Sequence, residues 1–165
     1  MFKKLILALA VILPLSCFAQ KFGSVNTEEV LNVMPDRQAA EAQLAEASKK
    51  YETEFQKLQE ELQKLYNDFQ AIQDDPETPQ TIKERRMQEI QDRATNVDKF
   101  AQTAQQDLQR QNEQLMAPII QKINDAINAV GQEGGYTAII AYGTFLYQGA
   151  DVVDVTPLVK AKLGL

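Results

Sequence analysis

Apolar residues follow a seven-residue repeat in the first half of the central part of the chain. From Tyr51 onward they are spaced alternately four and three residues apart, a pattern that places them along one face of a coiled-coil helix. The positions are Leu44, Tyr51, Phe55, Leu58, Leu62, Leu65, Phe69 and Ile72. Because Gly is absent from 35 to 130 and helix-forming residues dominate, the pattern predicts a long helix from about Asp36 to Gln73.

A short proline-containing segment, 74–79, interrupts this repeat and predicts a turn, since Pro76 and Pro79 do not fit inside a helix. A new helix could begin with Thr78 as its cap, or with a capping box formed by Thr81 and Glu84. A second apolar stripe follows at Met87, Ile90, Ala94, Val97, Ala101, Ala104, Leu108 and Leu115. Because its alanines are small and the first stripe is large, the two helices are expected to interdigitate as an antiparallel hairpin.

The two ends of the chain carry the β-forming residues. We expect a strand at 22–26, a capping box at Asn26 and Glu29 that opens a short helix, and further strands at 136–142, 144–147 and 152–155. Gly131, Gly134 and Gly135 are expected to end the second long helix, and Thr156 with Pro157 to open a closing helix.

The order of these elements predicts an α+β fold in which both ends form one small body. Segments 20–34 and 119–165 are assigned to this β-sheet body, and 35–118 to a long antiparallel helical-hairpin (coiled-coil) arm with its tip at 74–79. A sheet of three or four short strands exposes its edges, so the body is expected to oligomerise.

The first nineteen residues have the pattern of a signal peptide. Lys3 and Lys4 precede an apolar run to Leu15, and Ala19 suits a cleavage site. The run is too short for a stable membrane-spanning helix. We therefore expect export with cleavage after Ala19. A lipoprotein signal ending at Cys17 is the alternative, although Pro14 stands where such signals carry an aliphatic residue.

Composition excludes several classes of site. The chain has 165 residues, with 17 Lys and Arg against 23 Asp and Glu, no His and one Cys. A His-based triad and an internal disulfide are impossible, and the commonest zinc ligands are missing. An acidic chain does not suit duplex DNA. We find no nucleotide loop and no nucleophile motif, and so predict neither an enzyme nor a cofactor, metal or nucleic-acid site.

The order of elements resembles the Skp/OmpH family of periplasmic chaperones across essentially the whole predicted mature chain. The residues that carry the resemblance are Gly23-Ser24-Val25-Asn26, the segment from Pro118 to Ile127, Gly135 to Ile140, and Asp151 to Thr156. The resemblance implies a homotrimer whose β segments form a small barrel, with three helical arms that hold unfolded outer-membrane proteins without ATP.

One feature departs from the family. Removal of the leader takes away Lys3 and Lys4 and would change the formal net charge from −6 to −8, whereas the best-studied relatives are basic. We therefore do not transfer a lipopolysaccharide site from the family to this chain. Contact with a membrane surface is possible but unsupported. Lys83-x-Arg85-Arg86 is interpreted as a solvated helix face balanced by acids, with a local cationic patch as the alternative.

The predicted function is that of an ATP-independent periplasmic holdase for unfolded outer-membrane proteins. The alternative is a structural or adaptor coiled-coil protein of the envelope, anchored through a lipidated Cys17. Candidate client contacts are the apolar residues beside the seam, Tyr66, Ile82 and Phe100. Candidates for body core and subunit interface are Val25, Ile139, Ile140, Tyr142, Phe145 and Tyr147.

Overall fold

The computed structural model describes residues 20–165, so the predicted signal peptide and Cys17 lie outside the described part. The elements follow in the order β1 (Phe22–Val25), α1 (Thr27–Val33), α2 (Pro35–Gln73), α3 (Gln80–Gly134), β2 (Ala138–Ala141), β3 (Val152–Asp154) and α4 (Thr156–Leu163). The long helices with a small sheet confirm the predicted α+β fold.

Helices α2 and α3 form the arm. Helix α2 has 39 residues, which at 1.5 Å per residue gives a length of about 58 Å. Helix α3 has 55 residues and continues without interruption through Pro118 into the body. Every apolar residue of the first predicted stripe is at least partly buried, which confirms the seam on α2.

The body contains a three-stranded sheet that joins the two ends of the chain. The strand order is β2-β1-β3, and β1 pairs in parallel with both neighbours. Phe22 lies opposite Ala138 on one side and Val152 on the other. The N-terminal strand is therefore central, while β2 and β3 are edge strands.

The predicted strand at 144–147 is wrong. Because β2 and β3 run in the same direction, the chain must return along the body between them, and residues 142–151 form this connection. The connection crosses the sheet on the side of Ser24, where the Gln148 amide donates to the Ser24 hydroxyl over 3.3 Å. Residues 144–147 are not part of the three-stranded sheet, although they have high β propensity.

Helices α1, α3 and α4 share the body core with the arm root. The buried cluster consists of Val25, Val30, Met34, Ala40, Ile119, Ile123, Ala126, Val130, Val155 and Val159. Gly23 lies on this side of the sheet, where a Cβ atom would be only 3.1–3.3 Å from Ile139, Val155 and Tyr136. The absent side chain lets these three approach the strand closely.

The capping predictions hold only in part. The Asn26 side chain accepts from the Glu29 N–H over 3.1 Å, as expected. The reciprocal half of the box is missing, because the Glu29 carboxylate binds Lys160 of α4 instead. Helix α3 begins at Gln80 after Pro79 without a side-chain cap, so both predicted caps are wrong. Its C-terminal cap is Gly135, with φ of +63°, and Gly131 lies inside the helix.

Thr156 connects the two ends of the chain through its side chain. Its hydroxyl accepts from the backbone N–H of Asn26 over 2.9 Å and donates to Asp154 Oδ1 over 2.6 Å. The Thr156 N–H donates to the same carboxylate oxygen. Thr156 is almost completely buried, whereas its partner Asp154 is exposed, so these bonds lie at the boundary between core and solvent. This node fixes the start of α1 against the start of α4.

Replacement of Thr156 by Val is expected to lower the free energy of unfolding by about 1–3 kcal/mol, because the Asn26 N–H loses its partner. Urea unfolding followed by circular dichroism measures this loss. Thr137→Val, at an exposed position of the body, is the control and should change stability by less than about 0.5 kcal/mol. Equal losses in the two variants would contradict a special role for Thr156.

The same node predicts a pH dependence. The Thr156 hydroxyl, and then its backbone N–H, hold the pKa of Asp154 below its ordinary value. A lowered carboxyl pKa stabilises the fold above the ordinary value of about 4, and this contribution is lost as pH falls through the lowered value. The stability difference between wild type and Thr156→Val should therefore shrink in acid. A constant difference from pH 7 to pH 3 would contradict this.

Candidate functional site

On α3, every seventh residue of the apolar stripe is buried in the contact with α2. Ile90, Val97 and Ala104 are buried, and on α2 Phe69 is buried near the tip. Met87, which the sequence placed in the same stripe, is exposed. A two-helix contact covers only a narrow strip of each helix, so apolar residues at the margins of the stripe remain accessible. The arm therefore keeps apolar side chains at its surface.

A polar contact crosses the seam closer to the body. The Tyr51 hydroxyl donates to Asp107 Oδ2 over 2.9 Å, and Arg110 pairs with the same carboxylate over 2.6 Å. The bond to Asp107 raises the pKa of Tyr51 above its ordinary value. The Phe100 ring packs against Tyr51 with 6.0 Å between centroids. This contact aligns the two helices.

The hairpin tip is held by Asp75 and Lys83. The Asp75 carboxylate accepts from the Thr78 hydroxyl over 2.6 Å and the Glu77 N–H over 3.0 Å, and these bonds keep the pKa of Asp75 low. The Lys83 ammonium donates to the carbonyl oxygens of Gln73 and Asp75 at the end of α2. A cation at a helix C-terminus is favourable. Lys83 thus acts locally at the turn, through carbonyl oxygens and not through acidic side chains.

A charged groove lies on one side of the distal hairpin. Its lining includes Lys64 and Asp68 of α2 and Arg85, Asp92 and Arg93 of α3. Arg93 also forms an ion pair with Glu61 across the two helices. Both signs of charge alternate here, so this side resembles an ordinary solvated helix face.

A second groove, of about 620 Å³, opens between the same two helices. Apolar side chains contribute to its lining: Phe55, Leu62 and Tyr66 from α2, and Ala94 and Val97 from α3. Three glutamines, Gln56, Gln59 and Gln63, line it as well. We call it the glutamine groove. Its composition differs from that of the charged groove, which is lined mainly by ionised residues.

The predicted client contacts occupy different environments. Tyr66 is 43% exposed and lines the glutamine groove, and Ile82 is 38% exposed near the tip. Phe100 was expected beside the seam, but it is half-buried against Tyr51. The same Tyr51 side chain donates its hydroxyl to Asp107, seven residues further along α3. Phe100 is thus part of the hairpin contact.

The predicted body residues separate into two groups. Val25 lies in the buried core, and Ile139 packs against that core. Ile140 and Phe145 are half-buried. Tyr142 and Tyr147 are 69% and 85% exposed, and the neighbouring Leu146 is fully exposed. Sequence reasoning missed Leu146, because the predicted strand gave no reason to expect two consecutive large apolar residues, Leu146 and Tyr147, to be exposed.

Within residues 20–165, no group of three or more acidic or Cys side chains is placed to hold a metal ion. None of the helices described there combines the length and apolar character needed to cross a bilayer.

The family model described as "Outer membrane protein (OmpH-like)" matches residues 21–163, which include the arm and both parts of the body. The chain belongs to the OmpH-like family. The match confirms the resemblance seen in the sequence, from the first strand to the closing helix.

A solved structure supports the same fold for this OmpH-like chain. It is an OmpH-like protein from Caulobacter crescentus CB15, described as a candidate outer membrane chaperone. The TM-score is 0.73 at 15% sequence identity, and the similarity covers 87% of this chain and 83% of that chain. At this identity the similarity concerns the fold alone. Among curated proteins, no sequence matches significantly.

Proposed function

We propose that this OmpH-like protein is an ATP-independent holdase of the periplasm that binds unfolded outer-membrane proteins and prevents their aggregation. The observation that carries the proposal is the long arm, which leaves apolar side chains and a partly apolar groove accessible on a narrow hairpin. Membership of the OmpH-like family supports the same role. Exposed apolar groups favour weak, non-directional contacts with an unfolded chain.

The proposal includes specific contacts and the absence of catalysis. Tyr66 and Ile82 are the proposed client contacts on the arm, because both remain accessible. Phe100 is a weaker candidate, since its ring is already engaged with Tyr51. Holding a client requires only reversible burial of apolar surface, for which no catalytic group is needed.

A homotrimer is part of the proposal. The sheet order leaves the outer edges of β2 and β3 unpaired in a single chain. Pairing β2 of one copy with β3 of the next would satisfy both edges, and a head-to-tail contact of this kind can close into a ring. Tyr142, Leu146 and Tyr147, exposed beside these edges, would then lose water in the assembly.

The test is dilution of an unfolded β-barrel protein from urea with and without the purified mature protein. Suppression of light scattering at a stoichiometric amount of trimer is expected, without added ATP. Native mass spectrometry of the same samples should give a trimer and its complex with one client. Undiminished scattering would refute the holdase function. An intact mass that includes a lipidated Cys17 would instead favour the anchored adaptor.

A further inference from the structure

The two sides of α2 carry different chemistry along the distal arm. One side bears Lys50, Lys57 and Lys64, which are one heptad apart, with acidic neighbours that pair with the first two. The side next to the glutamine groove carries amides at positions 56, 59, 63, 70 and 73, with Tyr66 in the same series. These steps of three and four residues form a continuous stripe on one helix face. Between residues 50 and 73, the lysines of α2 thus lie on a different side of the helix from the amides.

The charges at the glutamine groove are all negative. Glu60 of α2 and Asp98 of α3 are its only ionisable carboxylates, and neither Lys nor Arg lines it in the described chain. Both carboxylates are exposed. The groove therefore combines an apolar lining, uncharged amides and a negative potential, whereas the charged groove contains both signs.

We propose that the glutamine groove is the client-binding face of the arm and selects extended polypeptide segments that carry Lys or Arg over segments that carry Asp or Glu. This inference rests on the proposed holdase function and assigns it to one side of the hairpin. Apolar client side chains enter between Phe55, Leu62 and Tyr66. The amides receive the client main chain.

Carboxamides suit an unfolded main chain for a chemical reason. Each Gln side chain carries both N–H donors and a C=O acceptor, so it can pair with either group of a peptide bond. Gln63 donates one N–H to Asn67 Oδ1 over 3.0 Å and keeps its second N–H and its carbonyl for a client. Such pairing does not depend on the client sequence. The two carboxylates add a preference by charge, because they attract cationic residues and repel anionic ones at short range.

The first experiment compares two fluorescein-labelled peptides in which Leu alternates with Ser and either Lys or Asp. Fluorescence anisotropy should show that the Lys peptide binds the wild-type protein about tenfold more tightly than the Asp peptide, a difference of about 1.4 kcal/mol. Equal affinities would overturn the proposal.

Charge reversal at the groove separates a local preference from the overall acidity of the protein. Glu60→Lys with Asp98→Lys should make the Asp peptide the tighter ligand. Asp68→Lys with Asp92→Lys is the matched control, because it changes net charge equally at exposed positions of the charged groove. The control should keep the Lys preference within about twofold of wild type. Reversal in both double variants would overturn the proposal.

Removal of the amides tests whether they bind the client main chain. Gln56→Ala, Gln59→Ala and Gln63→Ala together should weaken both peptides about fivefold, whereas Ala at the three exposed glutamines Gln43, Gln88 and Gln109 should leave affinity within about twofold. Ala keeps the helix intact. Equal effects of the two triple variants would contradict the assignment. If the wild-type protein fails to suppress aggregation, the proposed holdase function is wrong. If all variants suppress aggregation equally well, the holdase function stands and only the assignment of the groove is wrong.

Discussion

Replacement of Ile119 by Ala is expected to lower the free energy of unfolding of the body by about 2–5 kcal/mol. Ile119 is 3% exposed and belongs to the core where the arm enters the body, close to Ala40 of α2. Loss of its side chain leaves a cavity that the surrounding core can fill only in part. The arm root and the sheet should therefore weaken together.

Ile120→Ala supplies a closely matched control, since it removes the same atoms one position along the same helix. Ile120 is 48% exposed, so its truncation should cost less than about 1 kcal/mol. Both variants are measured by urea unfolding at the same protein concentration, because assembly would add to stability. Equal losses would mean that the orientation of α3 at the arm root differs from the one described.

The second large effect is expected at Ile90, the most deeply buried residue of the distal arm at 2% exposure. Ile90→Ala should destabilise the distal hairpin by about 2–5 kcal/mol. Because the arm contacts the body only at its root, the loss should appear as local opening. Hydrogen exchange should show protection falling at least about tenfold around the tip, with little change in the sheet.

Met87→Ala is the control for this prediction. Met87 is 40% exposed one turn from Ile90, so its removal should leave protection of the distal hairpin nearly unchanged. A loss of protection in Ile90→Ala that extends equally to β1 and β2 would show that the arm and body unfold as one unit, which contradicts local opening.

The arm could be predicted from sequence because its determinants are local. Heptad spacing on α2 and helix propensity specify a long helix with one apolar face. The turn followed from Pro76 and Pro79, and a short turn leaves an antiparallel neighbour as the natural partner. The contact between the two ends of the chain could also be predicted, because the few segments with strand propensity lie at those ends.

Contacts between elements could not be predicted in this way. The sequence treats Ile119 and Ile120 alike, and only the direction in which α3 enters the body separates a core residue from an exposed one. Residues 144–147 have strand propensity, but the parallel arrangement of β2 and β3 requires them as a crossover. Phe100 of α3 lies against Tyr51 of α2, a contact between two helices that the spacing of residues within α3 does not show.

The candidate site shows the same division. Between residues 50 and 73, the glutamines and lysines of α2 occupy fixed heptad positions in the sequence, so their separation onto two sides was already determined by the helix period. The tertiary structure decided which side joins Ala94, Val97 and Asp98 to form a groove. Helix periodicity sets the face of each side chain, but only the packing of two helices decides what that face meets.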